Sequence, residues 1–379
     1  MITLSPLKTL LHFLLILTLA ACQNTPGNID ISQAKVYQSD EGAYMYALDA
    51  NTGKEIWKFK TKRTTSGPVV SGDQVYFTDY SPMLYSVNIK TGVGTYGKAL
   101  ATRVTTPIQV DGQHLYFISE SGYINCRDKT TGESQWVKDL HKPPLSLGIG
   151  PKHVYVPNKG QSLMALDKLT GEERWKYSMN RPLLGRPTVV GNLVIMSTDS
   201  PTIFAFDTLN AWKKDVEKAS PTAPVLHKGS VYWGLASGKL VGLDVKTGKE
   251  FWSHQLRRPI LSDPLIHDGV IYYGANDKRF YAQSLKTKEI LWVFQSKYWI
   301  MTTPRYYDGK VYFTDGGGSI YCIELATRKL LWKYRTNGAL DYMNPLVVKD
   351  GVVYCGGESS SKVVMEDNEL VDMREFYAK

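Results

Sequence analysis

Six histidines follow residue 22, at His114, His141, His153, His227, His254 and His267. No HExxH or Cys-x-x-Cys element joins any of them, so zinc ligation has no support. His227 and His267 each precede a turn signal, where a polar residue is expected on other grounds. No Gly-x-Ser-x-Gly elbow offers a nucleophile. Gly316-Gly317-Gly318 could cradle a phosphate only if a helix followed, and the residues after it read as a strand. Cys126, Cys322 and Cys355 are an odd set, which is no disulfide framework. The chemistry-bearing residues are dispersed, and the reading favours binding over catalysis, with no catalytic residue, no metal site and no nucleic-acid motif.

One short element does prescribe chemistry. Leu10 to Ala21 is an apolar run broken only by His12 and Thr18, preceded by Lys8 as the only charge. It is too short for a membrane-spanning helix and has the length of a signal-peptide core. It ends at Leu19-Ala20-Ala21-Cys22, which resembles the lipobox of bacterial lipoproteins. That resemblance implies cleavage after residue 21 and acylation of Cys22, and more than one chain makes such anchoring stable. Gln23 follows, rather than the aspartate that retains lipoproteins at the inner membrane, so outer-membrane attachment facing the periplasm is expected. Residues 22–35 are polar, contain Pro26-Gly27 and suit a flexible tether. Without residues 1–21 the chain has 44 basic and 36 acidic residues, a formal charge of +8 spread without blocks of like charge. A mixed solvated surface is the plain reading, and a modest attraction to anionic headgroups, polysaccharide or an acidic partner the sharper one.

Behind this leader the chain repeats itself. An aromatic residue closes each unit at Trp57, Tyr96, Trp136, Trp175, Trp212, Trp252, Trp292 and Trp332, with spacings of 39, 40, 39, 37, 40, 40 and 40. Ten residues before it stands a small residue in most units, as Ala47, Cys126, Ala165 and Cys322. Eight before it stands a turn-former, as Asp49, Asn88, Asp128, Asp167 and Asp244, and four before it a glycine, as Gly53, Gly92, Gly132, Gly171 and Gly248. The last two units carry Lys288 and Arg328 instead. Each first half opens near a proline, from Pro68 to Pro345, with Leu147 in its place in one unit. A hairpin dipeptide such as Asp268-Gly269 follows, then a β-branched and aromatic strand such as Ile271-Tyr272.

Each repeat thus reads as four short strands, and no helical period appears after residue 22. Four-stranded units repeated radially give an all-β propeller of eight blades over residues 36–379. A lone four-stranded sheet cannot bury both faces, whereas a ring of them can. The repeated tryptophan fills the gap between neighbouring blades, and the small residue sits where a bulky one would collide. Trp252→Ala is expected to cost more stability than the same change at Trp233 or Trp299, which lie outside the repeated position. The ring must close by pairing strands from the two ends of the chain. Val36-Tyr37 and Tyr44 to Asp49 compete there with Val353-Tyr354 and Lys362 to Glu366, so one set is surplus or is added at an edge.

The segment Ala47-Leu48-Asp49-Ala50-Asn51-Thr52-Gly53-Lys54-Glu55-Ile56-Trp57 resembles the repeat of quinoprotein-type propellers, the PQQ repeat. Such a resemblance implies fold more firmly than activity. With its lipobox, size and repeat count, the chain is similar to the propeller lipoproteins of the machinery that assembles outer-membrane β-barrels. That likeness implies a non-catalytic scaffold without a cofactor, whose partner is the barrel-forming subunit or another envelope protein. The loops Pro144-Leu145-Ser146-Leu147-Gly148 and Pro182-Leu183-Leu184-Gly185-Arg186 partly match the partner-binding loop of those proteins. They mark Leu145, Leu147, Leu183, Leu184 and Arg186 as candidates, forming one exposed apolar patch with the arginine at its rim. The acidic loop of those proteins is replaced by the basic stretch Lys213 to Lys218. The alternative from the same resemblance is a quinone-dependent alcohol or sugar dehydrogenase. Its adjacent cysteine pair is missing here, as is a Glu, Asn and Asp set for calcium.

Overall fold

The computed structural model describes residues 43–363, apart from 64–65, 105, 142–143, 145, 159–161, 180, 200, 207–210, 219–221, 337–345 and 359–361. The signal segment, Cys22, the tether and Val36-Tyr37 lie outside the described residues. All regular structure among the described residues is strand, arranged as eight antiparallel sheets. Seven blades are continuous in sequence, each with its first strand innermost and its last, tryptophan-bearing strand outermost. Blade 5, for example, runs Leu183–Val190, Leu193–Thr198, Thr202–Phe206, Ala211–Asp215.

Blade 1 settles the question of closure. Its strands, from the inside out, are Val347–Lys349, Val352–Glu358, Ala43–Asp49 and Glu55–Thr61. Tyr46 pairs with Cys355 and Leu48 with Val353, so the chain's two ends share one sheet. The surplus strand is Lys362–Val363. It adds to the outer edge of blade 8, where Val363 pairs with Tyr334 and Lys362 with Arg335.

The repeated residues act between blades. The indole N–H of Trp57 donates to the carbonyl of Ile89 in blade 2 (2.8 Å), that of Trp252 to Leu285 in blade 7 (3.0 Å), and that of Trp332 to Ala50 in blade 1 (2.9 Å). Where tyrosine substitutes, the Tyr96 hydroxyl donates to Lys129 (3.1 Å). Several of the turns that receive a ring are built by an aspartate. Asp49 accepts the backbone N–H groups of Asn51 (3.1 Å) and Thr52 (2.8 Å), an arrangement that aspartate favours. Asp128 is held the same way by Thr130 and Thr131. These bonds, the Thr131 N–H first, keep its carboxyl below the ordinary carboxylate range.

The glycine of that turn does more than permit a positive φ. A Cβ on Gly53 would lie 2.8 Å from the Trp332 ring, one on Gly171 2.6 Å from Trp136, and one on Gly248 2.4 Å from Trp212. Trp57, Trp136, Trp212 and Trp332 therefore each lie against the turn glycine of the next blade. Lys288 and Arg328, which replace that glycine, hold φ of +64° and +59°, a conformation that costs an L-residue roughly 1–2 kcal/mol.

The expectation for Trp233 is corrected. Its side chain is fully buried, and its N–H donates to both the carbonyl and the hydroxyl of Thr222 (3.0 Å each). It belongs to a second set of buried positions, with Phe77, Phe117, Tyr273 and Phe313 at the same place in their blades. Removing it will cost as much as removing Trp252. Trp299, 47% exposed, does fit the expectation of a smaller loss.

Cys126, Cys322 and Cys355 are buried and unpaired. Burial raises their thiols to about 11, about 12 and about 12 respectively. Because the thiolate is the reactive form, a disulfide-exchange reagent at pH 8 should leave all three untouched in native Cys22→Ser protein. All three should react once the protein is unfolded; a thiol modified in the native state would show that its blade is not packed as described.

Candidate functional site

Packing consumes both faces of every blade, so recognition falls to the loops at the two ends of the disc. At one end the short turns lie side by side: Ile89 N–H donates to the Asp73 carbonyl (3.0 Å) and Leu285 N–H to Gly269 (2.9 Å). At the other end, the loops that lead from blade to blade bond to the central hairpins of the blades on either side. Leu256 N–H donates to Gly238 in its own blade (2.9 Å), and Asn276 N–H reaches back to Pro259 (2.9 Å). This second end, the loop end, carries Leu147, Leu183, Leu184 and Arg186 of the residues singled out by sequence for partner binding.

Their placement divides them. Leu147 is 1% exposed and packs with Tyr116, Ile118, Leu140 and Val156. Leu183 is 8% exposed and packs with Tyr155, Leu163 and Met196. Both are core side chains, so the expected exposed patch does not include them. Inter-blade packing claims a leucine that sits this near the innermost strand. Leu184 is half-buried, and Leu145 lies outside the described residues.

Arg186 is not a rim residue either. It reaches from blade 5 past blade 6 to pair with Asp263 of blade 7. Asp263 also accepts the Ala223 N–H (2.7 Å) and the Thr303 hydroxyl (3.0 Å). Blades 5, 6, 7 and 8 thus meet at one carboxylate. Beside it, Arg305 donates Nε–H to the Leu346 carbonyl (3.1 Å). Burial, then the neighbouring Arg186 charge, pull its guanidinium below the ordinary value, and Asp263 opposes them. Sequence reasoning missed Asp263, Thr303 and Arg305. The signal was the pair of positions flanking the repeated proline. These hold Gly67, Thr106, Ser146 and Ala223 in other blades, but Arg186, Asp263 and Arg305 here.

A cavity of about 320 Å³ lies between blades 5 and 6, lined by Lys214, Asp215, Glu217, Lys239 and Glu250 among others. Glu250 pairs with Lys239 (2.9 Å) and Lys214 (3.5 Å), so opposite charges meet within it. The basic stretch noted in sequence is therefore partly neutralised. Among the described residues no donor set fits a quinone with its calcium. The cysteines are buried in separate blades, and no cluster of three metal-ligating side chains occurs among the described residues.

Eight antiparallel blades, each closed by a tryptophan or, in blade 2, by Tyr96, with the ring seated on the next blade's turn wherever that turn is described, define a PQQ-repeat β-propeller. A family model described as outer membrane protein assembly factor BamB matches residues 40–152 and 120–292, about two thirds of the chain. The chain belongs to the BamB family. Curated BamB proteins resemble it in part. That of Yersinia pestis is 26% identical over 125 residues, covering 30% of this chain and 32% of that protein. That of Moranella endobia is 20% identical over 253 residues, covering 60% and 56%. The match spans from a third to just over half of these relatives. Among solved structures, BamB from Moraxella catarrhalis superposes with a TM-score of 0.59 at 17% identity, covering 82% of this chain and 91% of that one. A europium-containing methanol dehydrogenase gives 0.63 at 14% identity, covering 75% and 81%. At such identities the structures speak for the fold alone.

Proposed function

We propose that this chain is a non-catalytic scaffold in outer-membrane protein assembly, anchored through an acylated Cys22 to the outer membrane and facing the periplasm. The observation that carries the proposal is the BamB-family match over most of the propeller. Its physical counterpart is a rigid ring that spends its strand side chains on itself and offers loops. The partner is the barrel-forming, BamA-like subunit of the assembly machinery, and it docks on the loop end around Leu184, between blades 4 and 5. Arg186 serves that surface indirectly: by tying blade 5 to Asp263 it fixes the loop in place. Leu147 and Leu183 support it from the core.

The test is an envelope cross-linking pull-down with the lipidated protein. Recovery of the barrel-forming subunit is the expected result, and its absence under conditions that recover other envelope complexes would refute the proposal. The Cys22→Ser variant should leave the membrane fraction or remain unprocessed. If it fractionates with the outer membrane as the parent does, the anchor is assigned to the wrong residue.

A further inference from the structure

The loop end is not evenly charged. Between blades 6 and 8, four of its loops run side by side, joined by backbone bonds from Asn276 to Pro259 (2.9 Å), Ser296 to Lys278 (2.8 Å) and Gly316 to Trp299 (2.9 Å). They present Arg257, Arg258, Lys278 and Lys297, all exposed, with Tyr298 and Trp299 between them. No ion pair engages these four cations among the described residues.

The carboxylates of the same loops are all occupied. Asp263 is held by Arg186 and Thr303, while the half-buried Asp277 accepts the Tyr281 hydroxyl. Asp315 is fully buried and accepts the Ser296 (2.7 Å) and Tyr321 (2.7 Å) hydroxyls. Some cations elsewhere on this end have acidic company: Arg103 pairs with Glu120 (2.9 Å), and Lys218 follows the exposed Glu217. The turn end of the same blades mixes exposed Asp268 and Asp308 with its lysines.

The aromatic pair is held outward by a glycine seat. A Cβ on Gly316 would lie 2.3 Å from Trp299 Nε1, and one on Gly317 2.1 Å from the Tyr298 ring. Only glycines let these rings lie so close to the loop, and Trp299 stays 47% exposed. The Gly316-Gly317-Gly318 run, which does not hold a phosphate, thus has a use.

We propose that this rim of blades 6 to 8 docks on an anionic lipid surface. Arg and Lys without ion-pair partners, beside an exposed tryptophan and a half-buried tyrosine, match a headgroup layer, where cations meet phosphates and amphipathic rings enter the interface. Trp299 stands 47% exposed in this patch. A protein partner would have to supply pockets for its anchors, whereas headgroups rearrange around a projecting ring. The patch lies about three blades from Leu184, so lipid and partner can be held together. The inference goes beyond the scaffold reading and stands without it.

Vesicle sedimentation of full-length Cys22→Ser protein tests it, with phosphatidylglycerol-containing vesicles against phosphatidylcholine alone. The apolar leader contributes equally to both. Selective binding to the anionic vesicles at low salt, lost at high salt, is the expected result. Arg257→Glu with Arg258→Glu should weaken it at least 25-fold, at about fivefold per cation lost. Trp299→Ala should weaken it several-fold, and Lys228→Glu with Lys246→Glu at the turn end should leave it unchanged. Equal binding to both vesicles, persistence at high salt, or equal loss from the turn-end pair would overturn the proposal. Capture by immobilised polyglutamate without preference for anionic vesicles would overturn it too, and would mark the patch as a site for an acidic polypeptide.

Discussion

Trp332→Ala is expected to lower the free energy of unfolding by about 3–5 kcal/mol, the range for a large buried aromatic replaced by alanine. Trp332 is 2% exposed and sits at the one junction where the ring closes on itself, blade 8 against blade 1. Its indole N–H donates to the Ala50 carbonyl across 282 residues of chain. The Tyr312 hydroxyl shares that carbonyl (3.1 Å), and the Tyr312 ring lies 5.9 Å from the indole. Losing the indole opens a cavity beside Gly53 but leaves the carbonyl the Tyr312 hydroxyl and the weaker Cys322 thiol (3.8 Å) as donors. The loss is therefore mainly of packing. Trp299→Ala should cost clearly less, since a ring already 47% exposed has less buried area to give up. Denaturant melts of the two variants decide the matter. Equal losses would mean that the closing junction is no tighter than the surface.

Gly248→Ala should cost about 2–5 kcal/mol. Part is conformational, because φ is +68° and alanine pays roughly 1–2 kcal/mol there. The rest is steric: the new methyl would stand 2.4 Å from the Trp212 ring, and overpacking of this kind costs about 1–3 kcal/mol. Gly229 isolates the first part. Its φ is +75°, but a Cβ there would meet nothing within 4 Å. Gly229→Ala should therefore cost only about 1–2 kcal/mol. If the two substitutions prove equally harmful, the turn glycine serves only its own loop and not the neighbouring tryptophan.

The eight units were legible because the aromatic spacing varies by only three residues from Trp57 to Trp332. Closure was not, because Ala43–Asp49 pairs with Val352–Glu358 across nearly the whole chain and no local pattern encodes the choice. Trp233 was misjudged for a related reason. Its strand is buried on both faces, since blades lie against both, so Val231, Tyr232 and Trp233 are buried in succession. A reading based on one marked tryptophan per repeat overlooks that second set.

The site was legible in location more than in detail. Arg186, Leu147, Leu183 and Leu184 do lie at the loop end, but their neighbours come from other repeats. Arg186 meets Asp263 only because the ring curves them together, 77 residues apart. The same holds for the cationic rim, where Arg257 and Lys297 are 40 residues apart in sequence and on adjoining loops in space. Repeats announce what they share; function here rests on positions where one repeat differs from the rest.

Site-specific photo-cross-linking in intact envelopes tests the central claim most directly. A photoreactive residue at Leu184, on the loop end, is compared with one at Lys246, on the turn end of blade 6. The account predicts that the Leu184 position captures the barrel-forming assembly subunit and the Lys246 position does not. Capture from Lys246 alone, or capture of no assembly component from Leu184 while the pull-down shows the complex intact, would contradict it.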